Sequence, residues 1–249
     1  MLNDLHSRDL IMRVMKGSSN YLRNQVRKNV ANAALCLFLF GLIFFGASLE
    51  TLQTMRLNLL EEAGFLISLA PLVAFYFYLH KYRIYNAGWS GEKQVSKLLS
   101  NKFSDDYFLI NDLYLQNGGG DIDHIVLGPS GIFVLETKNW SGEISCRGDE
   151  WQRGGKPSFT GSPSLQVKRN ASKIRRIVDV SPSLKPLGIH VEGIVVFTNK
   201  HAMLHLNNPS VPILKLSALT NHITTQRPSV TFGRQQVEEM AEEILRQKG

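Results

Sequence analysis

Cysteine is nearly absent from this chain of 249 residues: there are two, Cys36 and Cys146. So distant a pair makes no disulfide framework, and no cysteine pair has the spacing of a zinc site. Low-complexity sequence is missing too. With 43% hydrophobic and 20% charged residues, 20 Gly and 9 Pro, the composition excludes a disordered or collagen-like chain. No internal repeat is visible. No Ser-His-Asp or Cys-His arrangement has supporting local context, and Gly118-Gly119-Gly120 is not followed by the Lys-Ser/Thr of a phosphate-binding loop, so it reads as a turn. The most informative absence is of charge, which is missing from residues 31–49 and 63–79 altogether.

Those two apolar runs would extend roughly 28 and 26 Å as helices, close to the ~30 Å of bilayer hydrocarbon. Tyr76, Tyr78 and Tyr82 suit a headgroup belt at the end of the second. About 30 polar residues precede the first run, which argues against a cleaved signal peptide. The alternative is a pair of core helices in a soluble protein. Basic residues flank the pair on the outside (Arg23, Arg27 and Lys28 before it, Lys81 and Arg83 after it), whereas residues 50–62 hold Arg56 against Glu50, Glu61 and Glu62. The positive-inside rule then places both termini in the cytoplasm and the short loop outside, the topology of a multi-pass protein of the inner or plasma membrane. The expected organisation is a basic cytoplasmic segment at 1–30, a transmembrane helical hairpin at 31–83 and a cytoplasmic domain at 84–249. Residues 80–90 read as a linker of at most about 35 Å, and the basic, apolar N-terminal segment as a surface for anionic lipid.

The last part of the chain reads as α/β. Val95, Leu98, Leu99 and Phe103 recur at helical spacing, with Ser90 as a possible N-cap. Residues 107–115 form a strand candidate, and DIDHIVL and IFVLETK flank Gly128-Pro129-Ser130-Gly131, the strongest hairpin signal in the chain. Residues 142–148 read as a third antiparallel strand, Pro163 to Val180 as a helix, 193–199 as a strand buried on both faces, 211–216 as a further strand, and 235–247 as a closing helix. This is an α/β fold, a mixed sheet flanked by helices. Between residues 147 and 176 lie eight basic and two acidic side chains, among them Lys168, Arg169, Lys173 and Arg176. Such a stripe suits nucleic-acid phosphates; a solvated helix face beside anionic lipid explains it equally well.

If Gly128–Gly131 is a tight turn, Leu127 faces Ile132 and Asp123 faces Glu136, with Lys138 on the same side of the sheet. Opposed carboxylates repel unless a cation lies between them, and oxygen-only ligands favour Mg²⁺ first and Mn²⁺ second. A one-residue bulge at the turn would instead send one acid to the opposite face. His124 falls on the other face and reads as a packing residue. Trp140 and Trp151 read as core or rim residues, with stacking on unpaired bases as the alternative, and Asp121 sits across from Lys138 as a salt-bridge partner or a peripheral metal contact.

Asp123, a 12-residue gap and Glu136-Thr137-Lys138 resemble the PD-(D/E)xK nuclease signature, with Ile122 in place of the leading proline. The wider context is Gly91-Glu92, Asn111-Asp112-Leu113, Asp121-Ile122-Asp123-His124-Ile125, Gly128-Pro129-Ser130-Gly131 and Glu136-Thr137-Lys138-Asn139-Trp140. Together these residues, over about 88–200, resemble the nuclease-related domain, NERD, a branch of that superfamily. The resemblance implies a restriction-endonuclease-like core and metal-dependent hydrolysis of DNA. By it, Asp123 and Glu136 would be metal ligands, and Lys138 would position or help deprotonate the attacking water. Glu92 would be the acidic residue of the first helix, and Gln166 a helix glutamine seen in related nucleases. RNA would suit the same chemistry, and cutting both strands of a duplex calls for two sites, hence a homodimer. The competing function is a non-catalytic scaffold that binds nucleic acid or protein at the membrane.

Overall fold

The computed structural model describes residues 12–16, 20–54, 59–115, 120–157, 161–228 and 230–248. Ten strands and five helices follow one another as β1 (Arg13–Lys16), α1 (Tyr21–Thr54), α2 (Leu59–Lys102), β2 (Phe108–Leu113), β3 (Ile122–Gly128), β4 (Gly131–Lys138), β5 (Gly142–Arg147), β6 (Glu150–Arg153), β7 (Lys156–Pro157), α3 (Pro163–Val180), β8 (Val191–Phe197), β9 (Ala202–Asn207), β10 (Ile213–Lys215), α4 (Leu216–Thr225) and α5 (Arg234–Arg246). The chain divides into two compact units: Asn20–Trp89, and a second that joins the strand before α1 to everything from Ser90 onward.

The larger unit is built on a six-stranded mixed sheet in the order β1-β2-β3-β4-β8-β10. β2, β3 and β4 run antiparallel in sequence, while β8 lies parallel to β4, β10 parallel to β8, and β1 parallel to β2. One face buries Ile125, Leu127, Ile132 and Val134 against Val167 and Ile174 of α3 and Val237 and Ile244 of α5. The other buries Val126, Phe133 and Leu135 against Val95 and Leu99 of α2 and Leu219 and Ile223 of α4. Each such large side chain withdrawn from water stabilises the fold by roughly 1.5–3 kcal/mol. The expected mixed sheet flanked by helices is therefore observed.

Alternation along β2 breaks at Asp112, whose φ of 55° is left-handed. Phe108 and Ile110 share one core and Leu109 the other, yet Leu113 rejoins the core of Ile110. A single residue in this conformation resets which way the following side chains point.

Several elements differ from their sequence reading. Residues 142–147 are not a third strand of the main sheet. β5 belongs to a separate four-stranded sheet, β7-β6-β5-β9, antiparallel to β6 and parallel to β9. Gly142, with φ 83°, starts β5 after the break from β4, and Ile144, Cys146 and Trp151 carry the small sheet's inner face into the core shared with α3. Residues 80–90 are not an extended linker, and Ser90 is not a cap, because α2 is helical throughout 59–102. The N-terminal basic segment is not only surface: Arg13–Lys16 forms β1, with Met12 buried beside it and Arg13 paired to Glu238 at 2.6 Å. Its opening residues, 1–11, and the turn at Asn117-Gly118-Gly119 lie outside the described residues.

Two membrane helices were expected. Among the described residues one, Tyr21–Gly46, is long and apolar enough to cross a membrane, with mean hydropathy 2.0. The second run, 63–79, lies in the helix α2, and the side chains of its first residues, 63–65, are outside those described. Within this smaller unit Tyr21 meets Tyr85 edge-on at 6.3 Å, and a Cβ on Gly88 would stand 3.3 Å from Leu22. The start of α1 is therefore beside the later part of α2, as in an antiparallel pair.

The hairpin turn that sets the register of β3 against β4 depends on Gly131. Its φ is 125°, and a Cβ there would stand 2.5 Å from the carbonyl oxygen of His190. Gly131→Ala is expected to cost about 3 kcal/mol from backbone strain and the forced displacement of β8, read as a lowered urea midpoint with an unchanged m-value.

Candidate active site

The β3–β4 register brings the acids together. Gly128 pairs with Gly131, Leu127 with Ile132 and His124 with Leu135, so the turn carries no bulge. Beyond His124 the backbone ladder yields to a side chain: the Asp123 carboxylate accepts the backbone N–H of Thr137 at 2.7 Å. β4 continues in register with β8 as far as Lys138 and Phe197. The end of β4 is thus held on one side by a parallel strand and on the other by an aspartate.

Glu136 is 2% exposed. One of its oxygens, Oε1, accepts from the Lys138 ammonium at 2.6 Å, while the other, Oε2, is buried with no hydrogen-bond partner. Burial pushes the Glu136 carboxyl up, with Lys138 and, less strongly, Arg169 acting against that. Asp123 keeps some exposed surface, but its carboxylate lies deep among protein atoms. Burial first, then the charges of Glu136 and Glu92, hold it well above the usual carboxylate range, against the pull of Lys138 and the Thr137 N–H. Glu92 is lifted to about 8 by burial and by Asp112, Glu136 and Asp121 in that order. Burial alone would lower the Lys138 pKa, but Glu136 and Asp123 outweigh it and the amine is raised. Glu92, Asp123, Glu136 and Lys138 therefore act on one another within a single enclosed site.

Glu92 reaches this place because α2 comes unusually close to the sheet. A Cβ on Gly91 would lie 2.9 Å from Thr198 Oγ1 and 3.1 Å from Asn139 Cβ. Only a residue without a side chain allows the helix to sit there.

His124 turns away, as expected. It is 1% exposed, its Nδ1 is 2.7 Å from Asn111 Oδ1, and Asn111 in turn takes Ser96 Oγ as its acceptor at 3.0 Å. Burial lowers its pKa to about 3, so it is a neutral packing residue. Gln166, half-buried on the first turn of α3, enters neither the hydrogen bonds nor the charge interactions of the acids described above.

The basic stripe divides. Lys168 is committed to Asp149 at 2.6 Å, and Arg175 donates to the Ile189 carbonyl at 2.6 Å. Lys168 thus serves a structural knot in which Asp149 also accepts from Ser164 at 2.7 Å and from Ser210. Arg169 is the stripe residue whose charge reaches Glu136, and it also lowers the Lys173 pKa, second to burial. Arg176 is exposed farther along α3. Sequence reasoning passed over Asp112 as a contributor to the site, although an Asn-Asp pair inside a strand was the signal for its left-handed turn. It also expected Asp121 opposite Lys138; the ammonium is paired with Glu136, and Asp121 adds its charge to the potential at Glu92.

A buried carboxylate oxygen without a partner, with a second carboxylate acting on it, fits a cation. Among the described residues no group of three His, Cys, Asp or Glu side chains is placed to hold a metal. A two-carboxylate donor set suits Mg²⁺, which keeps several waters, better than a metal that requires a full protein cage.

Residues 87–198 match the family model of NERD, the nuclease-related domain. Residues 87–198 are thus similar to that domain. The match begins just before Gly91-Glu92 and ends at Thr198, so it contains every acid of the site together with Lys138. An uncharacterized Bacillus anthracis protein, pXO1-01, is 29% identical over 123 residues, 46% of this chain and 58% of that relative's own length. No solved structure is significantly similar to the chain.

Because Glu92 ionises less readily when folded than when unfolded, the folded protein holds more protons than the unfolded chain between the ordinary carboxylate range and about pH 8. In chelator, stability is expected to fall as pH rises through that window. Glu92→Gln should flatten the slope, measured as melting temperature against pH. Gly91→Ala, which pushes α2 outward, should flatten it as well.

Proposed function

We propose that this protein is a divalent-metal-dependent nuclease of the NERD type that hydrolyses DNA phosphodiester bonds. The observation that carries the reading is the unpartnered, buried Oε2 of Glu136 beside Asp123, with the Lys138 ammonium on the opposite oxygen. Asp123 and Glu136 would hold the ion. Once bound, Mg²⁺ supplies Lewis acidity to a phosphate oxygen and lowers the pKa of a water. The chain's own contributions follow from its contacts. Thr137 N–H fixes the Asp123 carboxylate in one orientation. Glu136 Oε1 holds the Lys138 ammonium at the site, where it donates to the incoming water and offsets charge gathering on the phosphate. Glu92 adds a further carboxyl on the α2 side, and its proximity to Asp123 keeps the local potential negative until a cation enters. This grouping, of the PD-(D/E)xK type, is an enzyme's arrangement: buried like charges are costly to a scaffold that makes no use of them.

The same reading sets the domain at a membrane. α1 is apolar enough to cross, and apolar side chains stand exposed along both helices of the smaller unit: Phe38 62%, Phe45 65%, Leu66 69% and Val73 71%. Soluble proteins rarely leave such faces uncovered. β1, before α1, and β2, after α2, are neighbours in one sheet and must share one side of any bilayer. The segment between them therefore crosses an even number of times. On this reading α1 crosses and α2 would return, and the positive flanks would favour a cytoplasmic sheet.

The full chain in detergent is expected to nick plasmid with Mg²⁺ and to stop in EDTA. Glu136→Gln or Lys138→Met should lower kcat by about 10²–10³-fold. Cleavage that persists in EDTA or in Glu136→Gln would overturn the mechanism. For topology, in a Cys36→Ser, Cys146→Ser background, Arg56→Cys should react with an impermeant maleimide on intact cells and Lys93→Cys only after permeabilisation. Reaction of both on the same side would overturn the double crossing.

A further inference from the structure

Trp140 lies two residues past Lys138, where the chain leaves β4 for the small sheet. Its ring is braced on two sides by aromatic neighbours, edge-to-face with Trp151 at 6.3 Å and with Phe197 at 6.0 Å. Trp151 is itself fixed: 5% exposed, stacked on Phe197 at 5.9 Å, with its indole N–H donating to Ser164 at 3.0 Å. Trp140, by contrast, is only half-buried. Two cations attend its ring, the Lys138 ammonium and the Arg153 guanidinium, each 5.9 Å from the centroid. Arg153 belongs to the exposed tip of the β6–β7 hairpin, which turns through Gly154 and Gly155 and returns with Lys156.

An indole held rigidly, partly open and flanked by cations has the two properties that a single strand requires: a π-face for a base and positive charge for the backbone on either side of it. Bases in a duplex have their faces covered by their neighbours and cannot use such a ring. A surface made only for duplex phosphates needs the cations and not the indole.

We infer that Trp140 is a stacking platform for an unpaired base beside the phosphate to be cut, with Arg153 and Lys156 following the backbone, so that the site takes single-stranded DNA in preference to continuous duplex. The inference rests on the nuclease reading for the nature of the ligand, but its test needs no turnover. Because Lys138 is paired with Glu136 and lies 5.9 Å from the Trp140 ring centroid, a base on this platform is placed near the ammonium that would face the scissile phosphate. Arg153 is drawn off the ring or stacks on the far face of the base. Phenylalanine retains a π-face at this position; leucine retains only bulk.

The experiment measures binding by the full chain in detergent and EDTA, where nothing is cut. The probes are a labelled oligothymidylate of about ten nucleotides and a blunt duplex of the same length, followed by anisotropy over a salt series. The wild type should bind the single strand at least about tenfold more tightly than the duplex. Trp140→Leu should lose about tenfold on the single strand with an unchanged salt slope, and Trp140→Phe should restore most of it. Arg153→Gln, at an exposed position that does not bear on folding, should weaken single-strand binding several-fold and reduce the salt slope by about one. Duplex affinity should stay within about twofold in all three. Equal or tighter binding of duplex by the wild type, binding of neither probe, or equal losses on both probes in Trp140→Leu would overturn the inference. Should Trp140→Leu fail to fold, the wild-type preference and Arg153→Gln decide the matter. Single-strand preference without plasmid nicking in Mg²⁺ would sink the nuclease reading and leave the platform standing.

Discussion

Like-charge burial is the constraint around which the larger unit is arranged. Three carboxyls, on a helix and on two adjacent strands, are drawn away from water with one ammonium to offset them, and the Glu136 charge raises the proton affinity of both Asp123 and Glu92. Nothing about folding favours such a site. It persists because its surroundings over-determine it. β4 is locked between β3 and β8, the Thr137 N–H orients Asp123, and Gly91 lets α2 approach within contact of Thr198. The apolar cores on both faces of the sheet supply the stability that the acids subtract.

What could be read from the residues alone followed from how local the governing physics was. The β3–β4 hairpin was legible because a Gly-Pro-Ser-Gly turn between two apolar runs fixes register with no help from distant chain, and register then decides which acids meet. α3 was legible to its ends: Pro163 opens it and the apolar stripe runs to Val178, and the structure adds Ser162 as its cap. What was missed depends on partners far along the chain. β1 is four residues of mixed character that become a strand only because β2 offers an edge. β5 could be seen as a strand, but its sheet could not, since β9, its parallel neighbour, carries exposed Met203 and Leu206 that break the alternation. The bound state of Lys168 was hidden for the same reason: Asp149 is drawn to it by Ser164 and Ser210, which only folding brings near.

The small sheet gives the site its shape. By leaving the main sheet immediately after Lys138, the chain turns Trp140 toward the acids' side and folds β5–β7 back over the core, so that basic and aromatic groups border the carboxylates.

The placement of β1 has a consequence for assembly. Its partner residues on β2 lie about 95 positions later, so during synthesis the first strand leaves the ribosome long before its neighbour exists. Both intervening helices must be made, and housed wherever they are to reside, before the edge of the sheet can close. The larger unit cannot complete its sheet until its insert has been made, which couples its completion to correct handling of the apolar segment and leaves a chain arrested at that stage with an open sheet edge for quality control to recognise.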